Sequence, residues 1–237
     1  MFGPWRSNLA SVHGDTSQLV GGADQTTTAV TPVLRGWLHF VCFFLALPAG
    51  ALLIANAPPG RARFSASVYA LGLAALFGVS GTYHRRQWSA TWRARMKRLD
   101  HGTIFVMIAG TYTPICLVAL GGLAGTLVLV SVWAAAIGGV VLAAVGIAER
   151  RLIGAICYIG LGWGVVATGP LLFNRLSATQ LALVAVGGVI YTVGVIVLGS
   201  HRPNPFPRVF GYHEVWHVMV VAAAVCHFIA IRSFVNT

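Results

Sequence analysis

Residues 211–231 read GYHEVWHVMVVAAAVCHFIAI, and two signals collide in them. The first seven letters contain His-Glu-x-x-His, which on a helix sets two zinc ligands on one face with a general base beside them. The fourteen that follow hold a single strongly polar side chain, His227. A helix on the surface of a soluble enzyme keeps a polar face, whereas one that is apolar all round is a buried helix or a membrane span. The stretch is therefore expected as a membrane span with two histidines at one end.

The rest of the chain agrees. Of its 237 residues 57% are hydrophobic and 9% charged, against about a quarter charged in soluble domains. Apolar segments run over 34–56, 64–84, 99–120, 125–148, 151–173, 180–200 and 213–235. Each is long enough to cross about 30 Å of hydrocarbon as a helix. None alternates as a barrel strand does, and a helix satisfies its own backbone in lipid. The expectation is an all-α integral membrane protein with seven transmembrane helices over 31–237. Residues 1–30 are polar, lack the apolar core of a secretory signal and are expected as a flexible tail. Gly- and Ala-rich stretches at 134–146 and 184–194 suit close helix packing. Cys42, Cys116, Cys157 and Cys226 all lie in apolar runs, and read as small buried hydrophobes rather than disulfides or metal ligands.

The net charge is +11. With seven spans, the N-terminal segment and the connections after the second, fourth and sixth share one side. That side holds Arg6, Arg35, Arg85, Arg86, Arg93, Arg95, Lys97, Arg98, Arg150, Arg151, Arg202 and Arg208; the other holds Arg61, Arg63, Arg175 and Arg232. Lys and Arg gather on the cytoplasmic side, so the N-terminus is expected in the cytoplasm, with the protein multi-pass in the inner (plasma) membrane. The charge serves topology. No nucleic-acid motif surrounds it, and no nucleic-acid partner is expected.

Only five acids are present, and Asp100 and Glu214 stand beside histidines in RLDH (98–101) and YHEVWH (212–217). Ionisable groups in membrane helices are expensive and call for a reason. By the topology, His84 ends the second span, Asp100 begins the third, and His213 and His217 begin the seventh, all near the cytoplasmic face. His213 and His217, at i and i+4, share a helix face. With His84 they supply three nitrogens and leave an open position, a catalytic type of zinc site. Asp100 would orient a water there, and zinc would bring that water's pKa toward neutrality. Ser80, one turn before His84, would steady a neighbour or a developing oxyanion.

Plainer readings stand beside these. Ser80 alone reads as packing, Asp100 as an N-terminal cap of the third helix, and the histidine pair as an interfacial polar turn. His101 points about 100° away from Asp100 and reads as a spectator or a partner for a loop group. His227 lies about 15 Å deeper than His217 and reads as a buried hydrogen-bonding residue. A supporting role is the lesser reading for His39, in the first span near the same end. His13 and His201 fall in the tail and a loop.

SGTYH (80–84), RLDHGTIFVMIAGTYTP (98–114) and HEVWHVMVVAAAVCHFIAI (213–231) resemble the bacterial hemolysin III family, which belongs with the progestin and adiponectin receptors and the alkaline ceramidases. The resemblance covers residues 31–235. It implies seven helices, a cytoplasmic N-terminus and a zinc near the inner leaflet held by His84, His213 and His217. It also implies that Asp100 contacts the zinc-bound water and that Ser80 is the family serine. Characterised relatives suggest hydrolysis of a lipid amide such as ceramide, while bacterial members are named for haemolysis (cytolysis) and linked to membrane homeostasis.

Three functions follow as expectations. The first is a zinc-dependent hydrolase of a membrane-lipid amide or ester, with Asp100 as general base, or a factor in membrane homeostasis. The second is a non-enzymatic haemolysin or receptor-like regulator with a structural zinc. The third is a membrane protease using Glu214 as base.

Overall fold

The computed structural model describes residues 31–236, all of whose apolar runs are helical. The helices are α1 (Trp37–Asn56), α2 (Arg61–Arg85), α3 (Ala90–Pro114), α4 (Gly122–Ala144), α5 (Arg151–Trp163), α6 (Gly169–Leu172), α7 (Ala178–Ser200) and α8 (Tyr212–Val235). A 3₁₀ stretch, Gly164–Thr168, joins α5 to α6, and the three form one span. The protein is thus all-α, and its described residues make seven spans long and apolar enough to cross a membrane. The segment 1–30, expected as a flexible tail, lies outside the described residues.

Two interruptions follow from proline. Pro170 has no N–H for the carbonyl one turn back, and its ring crowds that carbonyl; the 3₁₀ stretch precedes it. The Tyr112 hydroxyl reaches the carbonyls of Leu161 and Gly162, at 3.0 and 2.9 Å, just where the helix loosens. Pro114 ends the α-helical part of α3, and a π-helical turn, Ile115–Leu120, carries the span on.

The third span corrects the sequence reading. It starts at Ala90, not 99, behind a Ser89 side chain that accepts from the Trp92 N–H at 3.5 Å. The basic run 93–98 is helical. Hydropathy could not reveal it, because these turns bury little. They are held by charge instead: Lys97 Nζ lies 2.6 Å and Arg98 Nε 3.3 Å from the Glu149 carboxylate. Arg98 also donates to the Ala144 carbonyl at 3.2 Å, capping the end of α4. Asp100 is consequently about three turns inside α3, so it does not cap the helix start. The fourth span also ends early, at Ala144 rather than 148, where Gly146 adopts a positive φ of 81°.

The central helices are α2, the third span and α8, with 56%, 67% and 39% of their apolar stretches buried, against 28% or less for the others. Their core includes Tyr69, Phe77, Phe105, Tyr112 and Ile231. The outer surface is studded with exposed Leu45, Leu71, Leu123, Leu152 and Phe173. Such a surface would drive aggregation in water and matches lipid. Helices approach closely where glycine leaves room. A Cβ on Gly81 would lie 2.8 Å from the backbone N and Cα of Phe40 in α1. In the glycine-rich stretches read as helix contacts, Gly139, Gly187 and Gly194 instead receive the rings of Phe105, His227 and Trp216. The four cysteines are free.

Gly81→Val should therefore destabilise the fold by about 2 kcal/mol, since neither backbone can yield cheaply. Thermal melts in detergent check this, and an unchanged midpoint would refute the contact. Glu149 makes a second test. Its hydrogen bond from Lys97, helped by Arg98, holds its carboxyl below the usual carboxylate value. A depressed carboxyl contributes fully above its unfolded pKa and loses that contribution as pH falls through its folded one. Glu149→Gln should cost about 0.5 kcal/mol at pH 7, as the partners are partly solvated. Wild type and variant should converge on acidification below the ordinary carboxylate range.

Candidate metal centre

The site forms where the C-terminal end of α2 meets the start of α8. Residues Val33 and Leu34 donate backbone hydrogen bonds to the carbonyls of Arg208 and Val209, at 3.0 and 3.1 Å. This strap joins the segment before α1 to the connection before α8. It delivers Gly36 against His84: with φ at +76°, a Cβ there would lie 2.6 Å from the His84 Cβ. Glycine is required twice over, by conformation and by space. Arg85, the next residue, stacks its guanidinium over Trp37 at 3.6 Å and Phe40 at 4.2 Å, which fixes the end of α2 to α1.

His84, His213 and His217 converge, each offering a ring nitrogen within 4.8 Å of the other two. The Nε2 atoms of His84 and His213 are 3.2 Å apart. Zinc–nitrogen bonds of about 2.0–2.1 Å in a tetrahedral site set neighbouring nitrogens roughly 3.3 Å apart, so this edge already has the length a bound ion needs. Two rings alone at this distance would equally suit an N–H···N hydrogen bond; with the third imidazole the set is one that could hold a metal ion. His217 is buried at 2% exposure. Three neutral nitrogens with no thiolate suit zinc and similar borderline ions, so the residues fit the expected metal.

Asp100 joins the cluster from α3, its Oδ2 3.8 Å from His84 Nε2. The buried Ser80 side chain approaches the Asp100 carboxyl. All five residues singled out from sequence, Ser80, His84, Asp100, His213 and His217, therefore share one end of the bundle.

Glu214 is placed otherwise. It is 3% exposed, and its Oε1 pairs with Arg35 Nε while its Oε2 accepts the Gly211 N–H at 2.8 Å. One carboxylate thus caps the N-terminus of α8 and closes a partly buried ion pair to the strap. Arg35 was read only as a topological charge. The signal available was scarcity: an embedded acid in a chain with five needs a partner, though sixteen bases do not say which.

His39 also lies at the site. Its ring stacks on His217 with centroids 3.9 Å apart and planes 9° from parallel. It is buried at 3% exposure. A backbone group of His217 approaches it, but neither ring nitrogen has a partner at hydrogen-bonding geometry among the described residues. A buried polar group left so costs about 1–3 kcal/mol. The other histidines keep local partners. His101 Nδ1 meets the Lys97 carbonyl at 2.8 Å, and His227 Nε2 meets the Val184 carbonyl at 3.2 Å. His201 ends α7 with φ 57° and packs on Tyr212.

Fold and cluster together define a class: a seven-span helical membrane protein with histidines from the second and last spans gathered at one end. The sequence pattern described as Haemolysin-III related matches residues 27–228. The chain belongs to this family, within the superfamily of progestin and adiponectin receptors. It is 30% identical over 202 residues to Hemolysin-3 of Bacillus cereus, covering 83% of this chain and 88% of that one. It is 29% identical over 199 residues to the Hemolysin-3 homolog of Bacillus subtilis (strain 168), covering 83% and 90%. The human monocyte to macrophage differentiation factor is 28% identical over 199 residues, covering 81% and 80%.

Glu214→Gln is expected to destabilise the protein by about 3 kcal/mol, because it strands a partly buried Arg35, yet to leave metal binding intact. Melts with metal titration separate the two effects. Loss of metal with unchanged stability would overturn the structural role.

Proposed function

We propose that this protein is a zinc-dependent hydrolase of a membrane-lipid amide or ester, with its site at the cytoplasmic end of the bundle. The observation that carries the proposal is the convergence of three imidazoles with the Asp100–Ser80 pair, inside a bundle whose outer surface suits lipid. The cytoplasmic placement rests on the excess of Lys and Arg at the site end, which also supports an N-terminus in the cytoplasm of the inner (plasma) membrane.

His84, His213 and His217 would hold the metal through one nitrogen each. Bound there, zinc supplies a Lewis acid and brings water's pKa toward neutrality. Asp100 takes a proton from the water that adds to the substrate carbonyl, and returns it to the leaving nitrogen or oxygen. Ser80, beside it, would hold the Asp100 carboxyl in place by hydrogen bonding. The lipid substrate would enter from the membrane itself, leaving its acyl chains in an apolar setting.

The second reading, a haemolysin or regulator in which zinc is only structural, draws support from the printed names of the Bacillus relatives. The protease reading is disfavoured because both Glu214 oxygens are engaged, by Arg35 and the Gly211 N–H.

Purified protein should carry about one zinc per chain, which His84→Ala should remove. Asp100→Asn should keep the metal and lower hydrolysis of short-chain fluorescent ceramide or ester analogues about 100-fold or more. Metal retained in His84→Ala would sink the site. Undiminished erythrocyte lysis by a metal-loaded Asp100→Asn protein, without hydrolysis by wild type, would select the second reading.

A further inference from the structure

We propose that His39 is a fourth imidazole of the centre, a positioning residue that fixes the ring of His217 by stacking and hydrogen-bonds through a ring nitrogen to a water held there. The inference rests on the three-histidine metal reading above. It begins from a mismatch between what His39 does as a shape and what it is as a chemical group. As a shape it is a flat ring in a row: Phe77 packs on it with centroids 5.2 Å apart, and His217 stacks on it at 3.9 Å. Phenylalanine would fill that row without leaving two nitrogens unpartnered in a buried setting.

Direct ligation does not resolve the mismatch. A metal bound by an imidazole lies in the plane of the ring, along the nitrogen lone pair. The planes of His39 and His217 are within 9° of parallel, with centroids 3.9 Å apart. An ion held by His217 would therefore find no lone pair of His39 directed at it. Nor can the stacked rings hydrogen-bond each other, since their N–H bonds and lone pairs run along the stack faces rather than across them. A backbone group of His217 approaches the ring without reaching hydrogen-bonding geometry, which leaves a ring nitrogen open to a third group. A buried water is the species that commonly pairs otherwise unsatisfied buried polar groups, and the metal cluster borders the ring on the His217 side. Partners that orient a ligating histidine, though they never touch the ion, tune metal affinity about 10- to 100-fold.

The two parts of this role separate by substitution. His39→Phe keeps the stacked ring and removes the nitrogens. His39→Gln restores a donor and acceptor without the ring. His39→Ala removes both. Cobalt(II) serves as the probe, titrated into metal-stripped protein in detergent against a competing chelator, with its visible absorption recorded and His84→Ala run in parallel. Wild type should bind one cobalt. His39→Phe should still bind it, 10- to 100-fold more weakly and with a shifted absorption, while the metal-free variant melts no lower than metal-free wild type. His39→Gln should recover part of the affinity lost in His39→Ala.

Wild-type affinity and absorption in His39→Phe would overturn the hydrogen-bonding role and leave stacking alone. A His39→Gln no better than His39→Ala would overturn it as well, and does so even if His39→Phe fails to fold. Full cobalt binding by His84→Ala would instead remove the metal centre itself, whatever the His39 variants show.

Discussion

Beneath a lipid-facing shell, a polar side chain has to find its partner inside the protein. Water is not at hand to solvate it, and an unpaired buried charge costs several kcal/mol. The arrangement at the site end follows from that constraint. Glu214 is matched by Arg35 and the Gly211 N–H, Asp100 lies beside Ser80, and His213 faces His84 across 3.2 Å. Each pair joins different helices or loops, so satisfying the polar groups also closes the bundle. The Arg35–Glu214 pair, with the backbone bonds from Val33 and Leu34, fastens the strap before α1 onto the connection and N-terminus of α8, and the strap in turn seats Gly36 against His84.

The helices that carry the site are the most buried in the molecule. Their outer neighbours, α1, α4, the α5–α6 span and α7, present leucines and phenylalanines to lipid and shield the centre from the sides.

The His-Glu-x-x-His pattern shows how local spelling can mislead. Its spacing is right for two ligands on a helix, and the structure does bring His213 and His217 together. The third nitrogen, however, comes from the end of α2 and the carboxylate from within α3. Glu214 serves helix capping and ion pairing. A motif identifies a geometry, while the partners that complete it determine the chemistry.

Hydrophobicity alone determined the seven spans of this protein, because lipid demands about twenty apolar residues per crossing and a backbone that satisfies itself. Charge scarcity and histidine spacing marked His84, Asp100, His213 and His217, since each is costly enough in a membrane helix to need a reason, and Ser80 was marked by its place one turn before His84. Three matters depended on the tertiary structure. The start of α3 was hidden because its basic turns are held by Glu149, about fifty residues away, rather than by burial. Arg35 could not be assigned to Glu214 because nothing local distinguishes it from the other fifteen basic residues. His39 could not be placed on His217 because stacking joins the first span to the last, and the rotation of each helix about its axis is set by packing between helices, which no single segment encodes.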